Sequence, residues 1–248
     1  MFDDLSDRYL CPWLSKDPVL EKKEFDGKAA NGSYAFGVSS MQGWRKSMED
    51  AEICSTEFDD DPNAVLCGVF DGHNGKEVAL YLAEHVPATL ISTKEYKTAA
   101  YSEALRESLL AIDAAILADW PQSLQKYVDA PERFHALGKD ACTAGLSPGC
   151  AAVMCLVKNK QLHIANAGDC RIVLCRGGVA IELSTDHRLD LETEWRRVEH
   201  AGGKIIRGRI NGRLNVTRAI GDYAFKCNEN LSADEQAVTA YADIRTQE

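Results

Sequence analysis

Val69-Phe70-Asp71-Gly72-His73-Asn74-Gly75 closes an apolar, β-branched and aromatic run that begins near residue 64. A run of strand formers that stops at glycine predicts a strand over 64–70, with Asp71, Gly72 and His73 delivered onto a tight turn at its end. Loops held by a rigid strand are where binding and catalytic groups concentrate. Gly72 and Gly75 permit backbone angles that other residues avoid, so a main-chain carbonyl could join the Asp71 carboxylate at one cation. A metal site and a plain Asp-Gly hairpin turn with a solvated histidine fit this heptapeptide equally well.

Upstream, 34–40 and 51–56 also read as strands, which makes a meander with 64–70. Residues 1–33 are polar and read as an irregular N-terminal arm, leaving 34–248 as one domain. Downstream the period changes to helical: Val78, Leu82 and Val86 share a face over 76–86, with Pro87 just beyond. Leu105, Leu109, Ile112 and Ile116 mark a second helix within 99–120, ended by Pro121. Prolines and glycines over 121–149 predict a surface excursion. A second β-rich block follows, with 151–157 and 162–167 joined by Lys158-Asn159-Lys160, and 171–175 and 179–183 joined by Gly177-Gly178. A helix over 191–201 closes at Gly202-Gly203. Strands, a helix pair, more strands and a helix describe an α+β protein with mostly antiparallel sheets.

The 248 residues, 45% of them hydrophobic, suffice for a sizeable core in one domain. A formal charge of −10 argues against nucleic acid or an anionic membrane as partner, since both reward clustered Lys and Arg. No apolar run approaches the ~20 residues of a membrane span, and Asp3, Asp4 and Asp7 stand where a secretory signal would be basic. The chain reads as soluble and intracellular, cytoplasmic or nuclear. Its nine cysteines include no C-x-x-C pair and read as reduced thiols, forming neither a zinc site nor a disulfide framework. Asp59-Asp60-Asp61-Pro62-Asn63 is an acidic turn: Ala64 stands where a calcium loop needs glycine. His85, His163 and His187 read as structural, and Arg196-Arg197 as solvated charges.

Gly43-Trp44-Arg45-Lys46-Ser47-Met48-Glu49-Asp50 lies between the first two predicted strands. If those strands neighbour the third, Arg45, Glu49 and Asp71 converge at one sheet edge. Mg²⁺ or Mn²⁺ keeps much of its water beside one or two carboxylates, and an arginine fork suits phosphate oxygens. With an imidazole able to protonate a leaving oxygen, the set points to phosphoryl hydrolysis.

Taken together with Ile164-Ala165-Asn166-Ala167-Gly168-Asp169-Cys170-Arg171, Ala201-Gly202-Gly203-Lys204, Arg209-Ile210-Asn211-Gly212 and Thr217-Arg218-Ala219-Ile220-Gly221-Asp222, these segments resemble the PP2C-type metal-dependent protein serine/threonine phosphatases, gamma-like members most closely. The resemblance spans about 34–246. It implies an antiparallel β-sandwich flanked by helices, and a monomer that acts on phosphoproteins with two Mg²⁺ or Mn²⁺ ions and a possible third. It implies that Asp71 bridges two ions, that Gly72 offers its carbonyl, and that Glu49 completes the shell with Asp50 behind it. By the same resemblance Arg45 holds the substrate phosphate, His73 is the general acid, Asp169 helps bind the third metal, and 189–215 with Arg209 forms a flap.

The family's fold continues beyond the segment resembled by Ala242-Asp243-Ile244-Arg245, into a strand with a second metal-binding Asp-Gly motif and further elements with an Asp-Asn motif. The resemblance therefore implies a catalytic domain lacking its C-terminal strands and helix. The alternative function is a weakly active or inactive phosphoprotein-binding or regulatory module. Asn74, Cys150, Cys170 and Thr217 depart from the family pattern by small, mostly conservative changes.

Overall fold

The computed structural model describes residues 14–129, 138–144 and 147–248, so part of the predicted excursion at 121–149 lies outside it. The chain divides between Met48 and Glu49 into two compact units.

In the first unit, β1 (Leu14–Lys28) and β2 (Ala35–Arg45) form an antiparallel ribbon. Residues 14–28, which read as irregular arm, are therefore strand. The segment is polar and exposed along most of its length, so it lacks the alternation that marks a half-buried strand. Its hydrogen bonds to β2 hold it instead. Register shifts flank Val19, next to Pro18, which has no N–H for the ladder.

The second unit is built on β3 (Asp50–Thr56), β4 (Val65–His73), helices α1 (Glu77–Ser92), α2 (Lys94–Lys97) and α3 (Tyr101–Ala118), then β5 (Gly149–Lys158) and β6 (Gln161–Ala167). After these come the hairpin β7 (Val173–Arg176) with β8 (Val179–Glu182), helix α4 (Glu192–His200), and the small hairpin β9 (Ile205–Ile206) with β10 (Arg209–Ile210). The short β11 (Ile220–Gly221) and β12 (Asp243–Gln247) complete it. The main sheet runs β12-β6-β5-β4-β3, all antiparallel, and β11 pairs with the start of β5. The expected α+β class with antiparallel sheets stands. The expected meander begins one strand later, because β2 pairs with β1 and the main sheet starts at β3.

All three predicted helices form, and the apolar stripes of the first two are buried against the sheet: Val78, Leu82 and Val86 on α1, and Leu105, Leu109, Ile112 and Ile116 on α3. Leu66, Phe70, Met154 and Leu156 meet them from β4 and β5. Pro87 lies inside α1 instead of ending it. An interior proline costs a helix about 3 kcal/mol, and the buried Val86 and Leu90 on either side supply the packing that offsets it. Both predicted hairpin turns are present; Asn159 and Lys160 take positive φ, as a two-residue turn between twisted strands requires. A smaller cluster that includes Val198, Ile210, Leu214, Val216 and Val238 gives α4 and the β9–β10 hairpin a core of their own.

Cys142 and Cys227, expected as reduced thiols, instead form a disulfide. Eighty-five positions separate them, so no local spacing announces the pair. The buried Cys150 and the half-buried Cys54, Cys67, Cys155 and Cys170 are free, and burial pushes each of these thiols up, away from the reactive thiolate.

Candidate active site

Strand β4 extends through His73, so Asp71, Gly72 and His73 stay in the ladder and the turn comes at Asn74 and Gly75, both with positive φ. Alternation along β4 buries Leu66, Gly68, Phe70 and Gly72 on the helix side, which leaves Val69, Asp71 and His73 together on the other face. Asn74, where the resembled family commonly has glycine, is at φ 56, a conformation asparagine tolerates better than most residues.

Register decides the neighbours of this row. Asp50 on β3 stands directly opposite Asp71, and Ala151 on β5 stands opposite it on the other side. Like charges in facing positions repel, so the pair suits a cation between or beside them. Gly72 is required by space, since it has no positive φ: a Cβ there would lie 2.3 Å from the Glu49 carbonyl oxygen and 3.0 Å from that of Gly75. Main-chain oxygens thus crowd the position beside the Asp50–Asp71 pair. Among the described residues no three His, Cys, Asp or Glu side chains group as a metal cage. Two carboxylates with main-chain carbonyls are instead what a hard divalent ion takes when it keeps most of its water, and the residues fit Mg²⁺ or Mn²⁺ in that form.

His73 Nε2 lies 2.6 Å from Asp222 Oδ2, and the Asp222 side chain is only 2% exposed. Burial disfavours the charged ring, but Asp222, followed by Asp71 and Glu49, outweighs it and holds the imidazole above its ordinary value. Sequence reasoning missed this partnership, because 149 positions separate the two residues. Asp222 is visible in sequence only as the end of the Gly221-Asp222 motif.

The remaining expected residues fall in three places. Asp169 follows Gly168 after β6 and is ion-paired to Arg188 at 2.8 Å. Its neighbour Cys170 hydrogen-bonds the Asp71 backbone, and burial with the charges of Asp71 and Asp169 lifts its thiol to about 12, which puts the Asp169 turn beside the carboxylate row. Arg209 is exposed on β10 and donates to the Arg213 carbonyl. Arg45 ends β2 in the other unit, where its carbonyl accepts from Ser15 and Gln42.

A charge network that the sequence does not announce runs from Glu194 on α4 to the Gly168 turn. Glu194 on α4 accepts from Arg218 at 2.7 Å, Arg197 at 2.8 Å and Thr217 Oγ1 at 2.6 Å. Arg197, expected as a solvated charge, is thus half-buried and paired. Thr217 serves here as a hydroxyl donor, a role serine would fill equally. Arg218 also pairs with Asp243, which contacts Nε2 of the buried His187, and His187 Nδ1 accepts the Gly168 N–H. An open groove of about 470 Å³ lies along Gly202, Asn211, Phe225, Asn228 and Gln236, and none of the candidate catalytic side chains lines it.

The family model described as "Protein phosphatase 2C" matches residues 34–248. "Probable protein phosphatase 2C 21" of Arabidopsis thaliana is 39% identical, with 92% of this chain and 70% of that protein covered. "Protein phosphatase 2C 1" of Paramecium tetraurelia is 38% identical, with 96% and 74% covered. A solved phosphatase from Toxoplasma gondii superposes with a TM-score of 0.63 at 20% identity, over 93% of this chain and 72% of that one, which is a likeness of fold.

Proposed function

This chain belongs to the protein phosphatase 2C family of protein serine/threonine phosphatases, and on that premise we propose that it hydrolyses phosphoserine and phosphothreonine in proteins with a divalent cation at the Asp50–Asp71 row. The single observation that carries this reading is that Asp71 faces Asp50 on the neighbouring strand and shares its own strand face with His73 two positions on.

Asp71, the Gly72 carbonyl and Glu49 would hold Mg²⁺ or Mn²⁺, with Asp50 behind them and Asp169 available to a further ion. The chemistry an ion held there would supply is a water of lowered pKa as nucleophile. As the water oxygen bonds to phosphorus the ester P–O bond breaks, and protonated His73 delivers its proton to the departing serine or threonine oxygen. Arg45 is assigned to the substrate phosphate on its chemistry, a permanently charged planar fork matched to phosphate oxygens. Arg209, exposed on its hairpin, is assigned to substrate access.

The test is release of phosphate from a phosphoserine peptide with added Mn²⁺, for the wild-type chain, Asp71→Asn and His73→Ala. The wild type is expected to turn over and His73→Ala to lose about 10²–10⁴-fold, the usual share of general acid catalysis. Equal rates in all three would refute the assignment.

A further inference from the structure

We infer that Asp222 is the positioning residue of the reaction: it holds the His73 ring by Nε2 and so presents Nδ1 to the leaving oxygen. The inference rests on the phosphatase reading above and goes on to name how its acid is held.

Three independent features of the backbone are arranged around this one contact. Asp222 follows β11 in a left-handed conformation, φ 51 and ψ 37, which a residue with a side chain adopts at a cost. The surroundings over-determine it. Asp113 on α3 accepts the Gly221 N–H at 2.8 Å and both its carboxylate oxygens bind Lys226 Nζ, while Tyr223 donates to the Asp113 carbonyl and Asp222 N–H donates to the Pro148 carbonyl. The intervening strand is pared down to let the pair meet. Gly149 stands opposite His73 on one side and Gly221 on the other, and a Cβ on Gly149 would lie 2.2 Å from Asp222 Oδ2 and 2.5 Å from His73 Nε2. A side chain in that position would separate the carboxylate from the ring.

A neutral imidazole carries its proton on one nitrogen, and a carboxylate at Nε2 selects that tautomer and the ring's orientation. In the protonated ring the Nε2–H stays with Asp222, so the proton passed to the leaving oxygen is the one on Nδ1, and the ring is left in the tautomer that the carboxylate stabilises. The same carboxylate keeps the plane of the ring from rotating, which is the difference between an oriented acid and a mobile one.

Acid catalysis matters most when the leaving oxygen is poor, and this gives a signature that a loss of packing does not share. The full chain with Mn²⁺ is assayed on phenyl phosphate and on p-nitrophenyl phosphate, whose leaving group needs little protonation. Asp222→Asn, nearly isosteric, is expected to lower kcat on phenyl phosphate about 10- to 100-fold and on p-nitrophenyl phosphate less than about 3-fold, with KM unchanged. If that variant does not fold, Asp113→Asn, which loosens the turn without touching the ring, is expected to show the same selectivity at smaller amplitude. Equal losses on both esters would overturn the role of Asp222, whereas no turnover of either ester by the wild type would overturn the phosphatase reading itself. A readout independent of turnover is the ¹⁵N spectrum of the His73 ring in the metal-free protein at a pH where the ring is neutral. The proton is expected on Nε2 in the wild type and distributed over both nitrogens in Asp222→Asn; an identical tautomer in the two proteins would also overturn the inference.

Discussion

At Gly72 a single missing methyl group holds the candidate site open. The position has ordinary strand geometry, and its demand for glycine comes from the Glu49 carbonyl pressed against it. Gly72→Ala is therefore expected to push β4 away from the 49–50 segment, with destabilisation of about 1–3 kcal/mol as for other overpacked sites. A thermal melt gives the stability, and Mn²⁺ titration by calorimetry should show weakened binding if the displaced carbonyl belongs to the ion's surroundings. Asp71 and His73 were legible from the sequence because a strand run ending in Asp-Gly-His confines chemistry to a few residues. Asp222 was not legible, since a hydrogen bond across 149 positions leaves no local pattern.

At the scale of elements, α4 is secured by a carboxylate as well as by its apolar face. Glu194 is buried among Arg197, Arg218 and Thr217; burial alone would raise its carboxyl, but the two guanidinium groups and the hydroxyl pull it down to about 2. A carboxyl lowered in the folded state contributes stability that is fully present above its ordinary value of 4.5 and is lost as pH falls through the folded value. Glu194→Gln is accordingly expected to cost about 3 kcal/mol near neutral pH by removing the buried carboxylate that faces the half-buried Arg197 and Arg218. The gap from wild type should narrow as pH falls from about 4.5 toward 2, which acid-dependent denaturant melts of the two proteins would reveal. A constant gap across that range would show that the carboxylate charge is not what holds α4. The helix itself is legible in the sequence, but Arg196 and Arg197 read there as solvated charges, because nothing in a nine-residue helix rich in charge says which arginine faces a buried carboxylate. The β1–β2 ribbon was missed for the same physical reason: its strands have no buried face to impose a period.

For the whole molecule, the main sheet with α1 and α3 supplies most of the large buried side chains, among them Phe70, Leu82, Leu105, Leu109 and Met154. Leu109→Ala, at a fully buried position, is expected to lose about 2–5 kcal/mol by leaving a cavity under the sheet. The Cys142–Cys227 disulfide ties the 138–144 segment to the chain just after Tyr223. Cys142→Ser should lower stability by about 2–4 kcal/mol under oxidising conditions and change nothing once a reductant has opened the wild-type bond, a contrast that paired melts resolve. Local sequence is enough for the α+β class, the two core helices and a strand ending near Asp71 and His73. These follow from periodicity and turn residues, which act over a few positions. The ordered motifs of the sequence carry the resemblance to the protein phosphatase 2C family, to which the chain belongs. Which residues meet is settled by the folded chain: Asp50 with Asp71, His73 with Asp222 across Gly149, Glu194 with its arginines, and Cys142 with Cys227. Each of those pairs depends on strand register and close packing, and contacts between segments far apart in the chain are set by the packed whole.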